Sequence, residues 1–109
     1  MIRVINNSIY LTRGDSASIQ LKITQVDDDT DYTPEDGDVI TFSLKKDPTQ
    51  SKTLLSKTLS NETLVINPED TNNLAYGRYV YDIQLTKKDG TVQTIIPPHI
   101  FKLDKEVTF

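Results

Sequence analysis

The sequence predicts an all-β fold, an antiparallel sandwich of about seven or eight strands with one short helical turn near residues 68–74. Three observations predict it. Apolar and polar residues alternate with period two over several runs, turn-forming residues separate those runs at regular spacing, and only one stretch carries helix-start chemistry. A length of 109 residues suits one domain with one core, so residues 1–109 are expected to form a single sandwich.

Taken in chain order, Ser8–Thr12 is a short strand, and Arg13-Gly14-Asp15 is the turn that follows it. Ala17, Ile19, Leu21 and Ile23 alternate with Ser18, Gln20, Lys22 and Thr24, which gives a strand over Ala17–Ile23 burying its odd-numbered set. The polar, acidic stretch Val26–Gly37 is the longest candidate loop. Ile40, Phe42 and Leu44 form the next buried face, against Thr41, Ser43 and Lys45. Thr53–Leu59 and Thr63–Ile66 are shorter strand candidates. Asn67 is a good N-cap, Pro68 suits the first helical position, and Glu69 and Asp70 place negative charge on the first turn. Gly77 ends that turn.

Tyr79, Tyr81, Ile83 and Leu85 then alternate with Arg78, Val80, Asp82, Gln84 and Thr86. Asp89-Gly90 marks a hairpin leading into Thr91–Ile96. A two-residue loop there sets Ile83 opposite Ile96, whereas a three-residue loop with Gly90 left-handed sets Ile83 opposite Ile95; the sequence leaves both open. Pro97-Pro98 cannot donate to a ladder, so the last strand must break or bulge at that point. The apolar phase shifts there, from Ile96 to Phe101, Leu103, Val107 and Phe109, which fits a strand that changes sheets at a bulge. Phe101–Phe109 is the final strand candidate.

Composition narrows the function. Twelve basic against sixteen acidic residues give a net charge of −4, which disfavours nucleic acid, since binding phosphates needs clustered Lys and Arg. There is no cysteine, so no disulfide framework or thiolate metal site can form. No apolar run is long enough to cross a membrane, and Met1 leads into polar sequence without an export signal. Folding in a cytoplasm is therefore expected, and the glycosylation patterns at Asn6 and Asn61 are read as coincidental. Four glycines, never two close together, exclude a phosphate-cradling loop.

A few residues invite functional readings. Asp27, Asp29 and Asp31 have the spacing of the first three ligands of a calcium loop. Tyr32 stands where such a loop needs glycine, however, and Asp38 where it needs glutamate, so 27–38 is read as a solvated acidic loop. Arg13-Gly14-Asp15 spells an adhesion tripeptide but reads better as turn chemistry. His99 is the only histidine and lacks a recognisable nucleophile or metal partner in sequence. Among Tyr10, Tyr32, Tyr76, Tyr79 and Tyr81, the loop residues Tyr32 and Tyr76 are the better candidates for stacking on a sugar. No catalytic, cofactor-binding or metal-binding residue is assigned, and no enzymatic activity is expected.

The run Asn67-Pro68-Glu69-Asp70-Thr71, with Leu74 and Gly77-Arg78-Tyr79-Val80-Tyr81-Asp82, resembles the corner before the sixth strand of immunoglobulin-like domains. That resemblance implies that the Tyr79 hydroxyl bonds back to backbone near Asp70–Leu74. It also places Tyr81 where antibody domains carry their second cysteine. Leu11-Thr12-Arg13-Gly14-Asp15, Asp36-Gly37-Asp38-Val39-Ile40-Thr41-Phe42, Pro68-Glu69-Asp70-Thr71 and Tyr79-Val80-Tyr81-Asp82-Ile83-Gln84-Leu85 are together similar to small phage tail and baseplate proteins. These include the N-terminal β-sandwich domain of baseplate upper proteins in phages of Gram-positive hosts. What this implies is a virion or prophage structural component that binds protein neighbours, including copies of itself. Self-association or docking is expected through the terminal strand ending in Phe109 or through the edge near Ser8–Thr12. The alternative is a carbohydrate-binding or adhesion module.

Overall fold

The computed structural model describes residues 2–5, 7–21 and 36–105. In chain order these form β1 (Ile2–Ile5), β2 (Ser8–Thr12), β3 (Ala17–Gln20), β4 (Val39–Lys45), β5 (Leu55–Thr58) and β6 (Thr63–Ile66). The single turn α1 (Pro68–Thr71) and the long strands β7 (Gly77–Thr86) and β8 (Val92–Asp104) complete the set. The fold is all-β and sandwich-like. A six-stranded sheet runs β1-β2-β8-β7-β4-β5, and β3 pairs with β6 in a second, smaller sheet. All pairs are antiparallel except β2 with β8, which run parallel from Ile9↔Phe101 to Thr12↔Asp104.

Alternation places the core between the sheets. On β4, Ile40, Phe42 and Leu44 are buried, and on β7 so are Tyr79, Tyr81, Ile83 and Leu85. They meet Ile9 and Leu11 of β2, Phe101 and Leu103 of β8, and Leu64 and Ile66 of β6. Phe42 stacks on Tyr81 with ring centroids 5.3 Å apart, and Phe101 packs on both rings at 6.0 and 6.4 Å. Full burial of Phe42 and Phe101 stabilises the fold by about 1.5–3 kcal/mol each through the hydrophobic effect. Thus three aromatic rings fill the centre, which in antibody domains holds a disulfide and a tryptophan.

Several sequence expectations are refined. β3 ends at Gln20, with Ala17 buried, Ser18 and Gln20 exposed, and Ile19 and Leu21 half-buried; Lys22 and Ile23 lie outside the described residues. Ser8–Thr12 is not an edge, because β1 pairs along its outer side from Ile2↔Leu11 to Ile5↔Ser8. At the β7–β8 turn the Lys87 N–H donates to the Thr91 carbonyl at 2.8 Å and the Gly90 N–H to the Lys87 carbonyl at 2.9 Å. The loop is therefore Lys88-Asp89-Gly90, three residues, with Gly90 left-handed at φ 94°. Even so, Ile83 faces Ile96, because one extra residue at Ile95 shifts the register between Ile83↔Ile96 and Gln84↔Thr94.

A second shift falls at the prolines, between Ile83↔Ile96 and Tyr81↔His99. It moves the inward phase from even to odd numbers, so that Phe101 and Leu103 point into the core. β8 does not change sheets, however: it stays beside β7 from Val92 to Leu103. The bulges absorb the phase change that a sheet switch would otherwise explain. The chain passes between the sheets elsewhere, on either side of β3 and of β6. Ser60 and Thr63 bridge around Asn61 and Glu62, both left-handed (φ 52° and 59°), a mirror-image turn that carries the chain from β5 to β6.

Candidate functional site

The densest polar cluster lies where the β2–β3 turn meets α1 and the start of β7. Asn67 precedes the helix in an extended conformation, and its backbone N–H donates to the Asp70 carboxylate at 2.8 Å. Lys57 of β5 reaches the same carboxylate at 2.9 Å. Burial alone would raise the Asp70 pKa; the Asn67 N–H and the Lys57 ammonium outweigh it and hold it below the ordinary 3.8. Thr71, fully buried, accepts a hydrogen bond from the Gly14 N–H at 2.9 Å. Gly14 is left-handed at φ 85°, a conformation that favours glycine, and a Cβ there would sit 3.1 Å from the Asn72 side-chain oxygen, which would have to give way.

Arg13 completes the cluster. Its guanidinium lies 4.2 Å from the centre of the Tyr76 ring and donates to the Tyr76 hydroxyl at 2.8 Å and to the Leu74 carbonyl at 3.3 Å. The Arg13 backbone N–H bonds the Asp104 carbonyl at 2.9 Å, and Asp15 N–H closes the turn onto the Thr12 carbonyl at 3.1 Å. The adhesion tripeptide is thus a docked turn with its arginine engaged. Tyr79 behaves as the corner resemblance implies. Its hydroxyl donates to the Ala75 carbonyl at 2.6 Å, one residue beyond the expected Asp70–Leu74 span, while the Lys46 ammonium sits 4.8 Å from its ring.

The other candidates are placed apart. Asp27, Asp29, Asp31 and Tyr32 lie outside the described residues. Asp38, at the last position of the calcium-like pattern, is nearly buried and faces the Lys87 ammonium at 3.7 Å. His99 bonds through Nδ1 to the Pro97 carbonyl and stands opposite Tyr81 on β7. Tyr81 donates its hydroxyl to the Asn7 carbonyl in the β1–β2 turn, and burial pushes its pKa up to about 12. Phe109 lies outside the described residues. Among the described residues, no group of three or more His, Asp or Glu side chains could hold a metal ion. Nor, among them, is any helix long and apolar enough to cross a membrane.

Two depressions remain. One, of about 200 Å³, lies on the outer face of the large sheet, between Ser43, Lys45, Asp82, Gln84 and Pro98. Another, of about 330 Å³, lies among Ile9, Ile19, Leu64, Ile83 and Ile96, with Asn7 and Gln20 also on its wall. Neither contains paired acids or a nucleophile beside a base. Sequence reasoning missed the roles of Thr71 and Asn7, both of which act through long-range contacts. Only the Asn67…Asp70 spacing carried a local signal for this corner. No family model, curated protein or solved structure matches the chain.

Proposed function

We propose that the chain is a non-enzymatic structural module, a tail or baseplate component of phage or prophage origin that binds protein neighbours in an assembly. The observation that supports this reading best is the corner itself. Two of the segments similar to phage tail proteins, Leu11–Asp15 and Pro68–Thr71, are joined there by the Gly14–Thr71 hydrogen bond, and Tyr79 of a third segment closes the turn between α1 and β7. Residues that would carry other functions are occupied structurally: Arg13 by Tyr76 and Leu74, Asp38 by Lys87, His99 by Pro97. The carbohydrate reading rested on exposed tyrosines, and one face of Tyr76 is already covered by Arg13.

The test is mass spectrometry of particles released on prophage induction from the source strain. The expected result is this chain in purified particles at a fixed ratio to the other structural proteins. Its absence from the particles, together with a specific signal on a glycan array, would replace the assembly reading with the carbohydrate-binding one.

A further inference from the structure

β2 covers β8 only from Phe101 to Asp104. From Val92 to Ile96, β8 pairs with β7 on one side and, among the described residues, with nothing on the other. Alternation in an antiparallel ladder fixes which backbone groups are free there. Lys87 and Thr91 form a hydrogen-bonded pair, so the pairs Thr86↔Val92 and Gln84↔Thr94 are non-hydrogen-bonded. The N–H and C=O groups of Val92 and Thr94 therefore point away from β7, towards the open side.

Thr91–Ile96 carries neither a charged side chain nor a proline, two of the devices that blunt an edge, and its one irregularity is the extra residue at Ile95. Thr91-Val92-Gln93-Thr94-Ile95-Ile96 carries no charge in a chain that is 26% charged, and five of its six residues are β-branched. Val92 is 55% exposed, the most exposed large apolar residue described. The opposite edge of the same sheet is protected differently: β5 is four residues long and turns Lys57 towards Asp70. At the end of the β8 edge, Pro97-Pro98 and the bulges stop any further pairing, which limits an added strand to about five residues.

We propose that Val92–Ile96 is a self-association edge, on which a second copy of this chain adds the same segment antiparallel, joining two large sheets across a two-fold axis. The absence of charge is what selects a second copy. A segment without charges meets no like-charge repulsion when it faces itself, whereas the chain as a whole, at net charge −4, repels its own copies elsewhere. This rests on the assembly reading above but fails separately from it, since a particle component need not pair through this edge.

Light scattering coupled to size exclusion, over a concentration series, should show the mass rising from 12.3 kDa towards twice that value. Amide exchange at Val92 and Thr94 should slow over the same series. Thr94→Pro removes an outward donor without touching the β7 ladder and should weaken the dimer about tenfold or more. Val92→Lys, at an exposed position, should do the same by charge and serves if Thr94→Pro melts early. A monomer at every concentration, or a dimer unchanged in both folded variants, would overturn the proposal, whether the edge is then free or taken by a different partner.

Discussion

The two ends of β7 are built on opposite terms. At Gly77 the strand begins beside a corner where Arg13, Gly14 and Lys57 bond to Leu74, Thr71 and Asp70 across elements apart in sequence, while Asn67 and Tyr79 make local bonds to Asp70 and Ala75. Nine residues later, about 30 Å away at strand rise, it ends in a regular hairpin whose exposed segment Thr91–Thr94 has no neighbour beyond β7 among the described residues. Irregular backbone at the corner survives because side chains and distant backbone satisfy it. Regular backbone at the hairpin needs no such help, and among the described residues its outward groups have no strand partner.

The sharpest way to break this comparison is to remove a corner bond and its counterpart at the hairpin. Thr71→Val leaves the Gly14 N–H without its acceptor at a buried site and should cost about 2 kcal/mol in denaturant unfolding. Thr94→Val, at an exposed strand position, should stay within about 0.5 kcal/mol. Equal losses would mean that the corner bond is incidental.

A pair of glycines sharpens the same contrast. Gly14 and Gly90 have similar angles, φ 85° and 94°, but a Cβ on Gly14 meets Asn72 at 3.1 Å whereas one on Gly90 meets nothing within 4 Å. Gly90→Ala should cost about 1 kcal/mol from backbone strain alone, and Gly14→Ala measurably more, up to about 2 kcal/mol. Thermal melts of the two variants would reverse the account if Gly90→Ala proved the worse.

Removing the corner hydroxyl should have a smaller effect. Tyr79→Phe keeps the buried ring and loses only the bond to Ala75, for about 1 kcal/mol. An unchanged midpoint would make Tyr79 a core ring and nothing more.

The smallest effect is one of pH. The Asp70 pKa lies below 3.8 in the folded protein, so its contribution is fully present above the unfolded value and is lost as pH falls through the folded value. Asp70→Asn should therefore flatten the fall in stability on the acid side of about pH 4 and lower stability at neutral pH. A variant with the parent's acid limb would exclude Asp70 from that transition.

Much of the fold was legible because alternation reports which face of a strand is buried. The inward sets on β4 and β7 follow directly from Ile40, Phe42 and Leu44 and from Tyr79 to Leu85. Alternation does not report which strand lies alongside. The parallel pairing of β2 with β8 is a long-range choice, and Ile2–Ile5, which covers Ser8–Thr12 through a local hairpin, was not among the strands expected from the sequence. Pro97-Pro98 signalled irregularity correctly, but two bulges can mimic the phase change of a sheet switch, and only the register separates them. At the candidate site, the Tyr79 bond was expected from the resemblance to immunoglobulin-like corners, and its acceptor, Ala75, lies one residue beyond the expected Asp70–Leu74 span. The Gly14–Thr71 bond was not, since 57 residues separate its partners. The edge at Val92–Ile96 was hidden for the same reason: its segment reads as a strand, and its lack of a second neighbour among the described residues is a property of the sheet.

Residue-resolved hydrogen exchange in dilute solution tests the contrast most directly. The account predicts that the Gly14 amide, in a turn that sequence alone would leave exposed, exchanges at a rate close to that of global unfolding, like the amides of β7. It predicts that the amides of Val92 and Thr94, though within a strand, exchange orders of magnitude faster. Protection at Val92 and Thr94 equal to that at Gly14 in a monomeric sample, or a Gly14 amide as labile as an open turn, would contradict it.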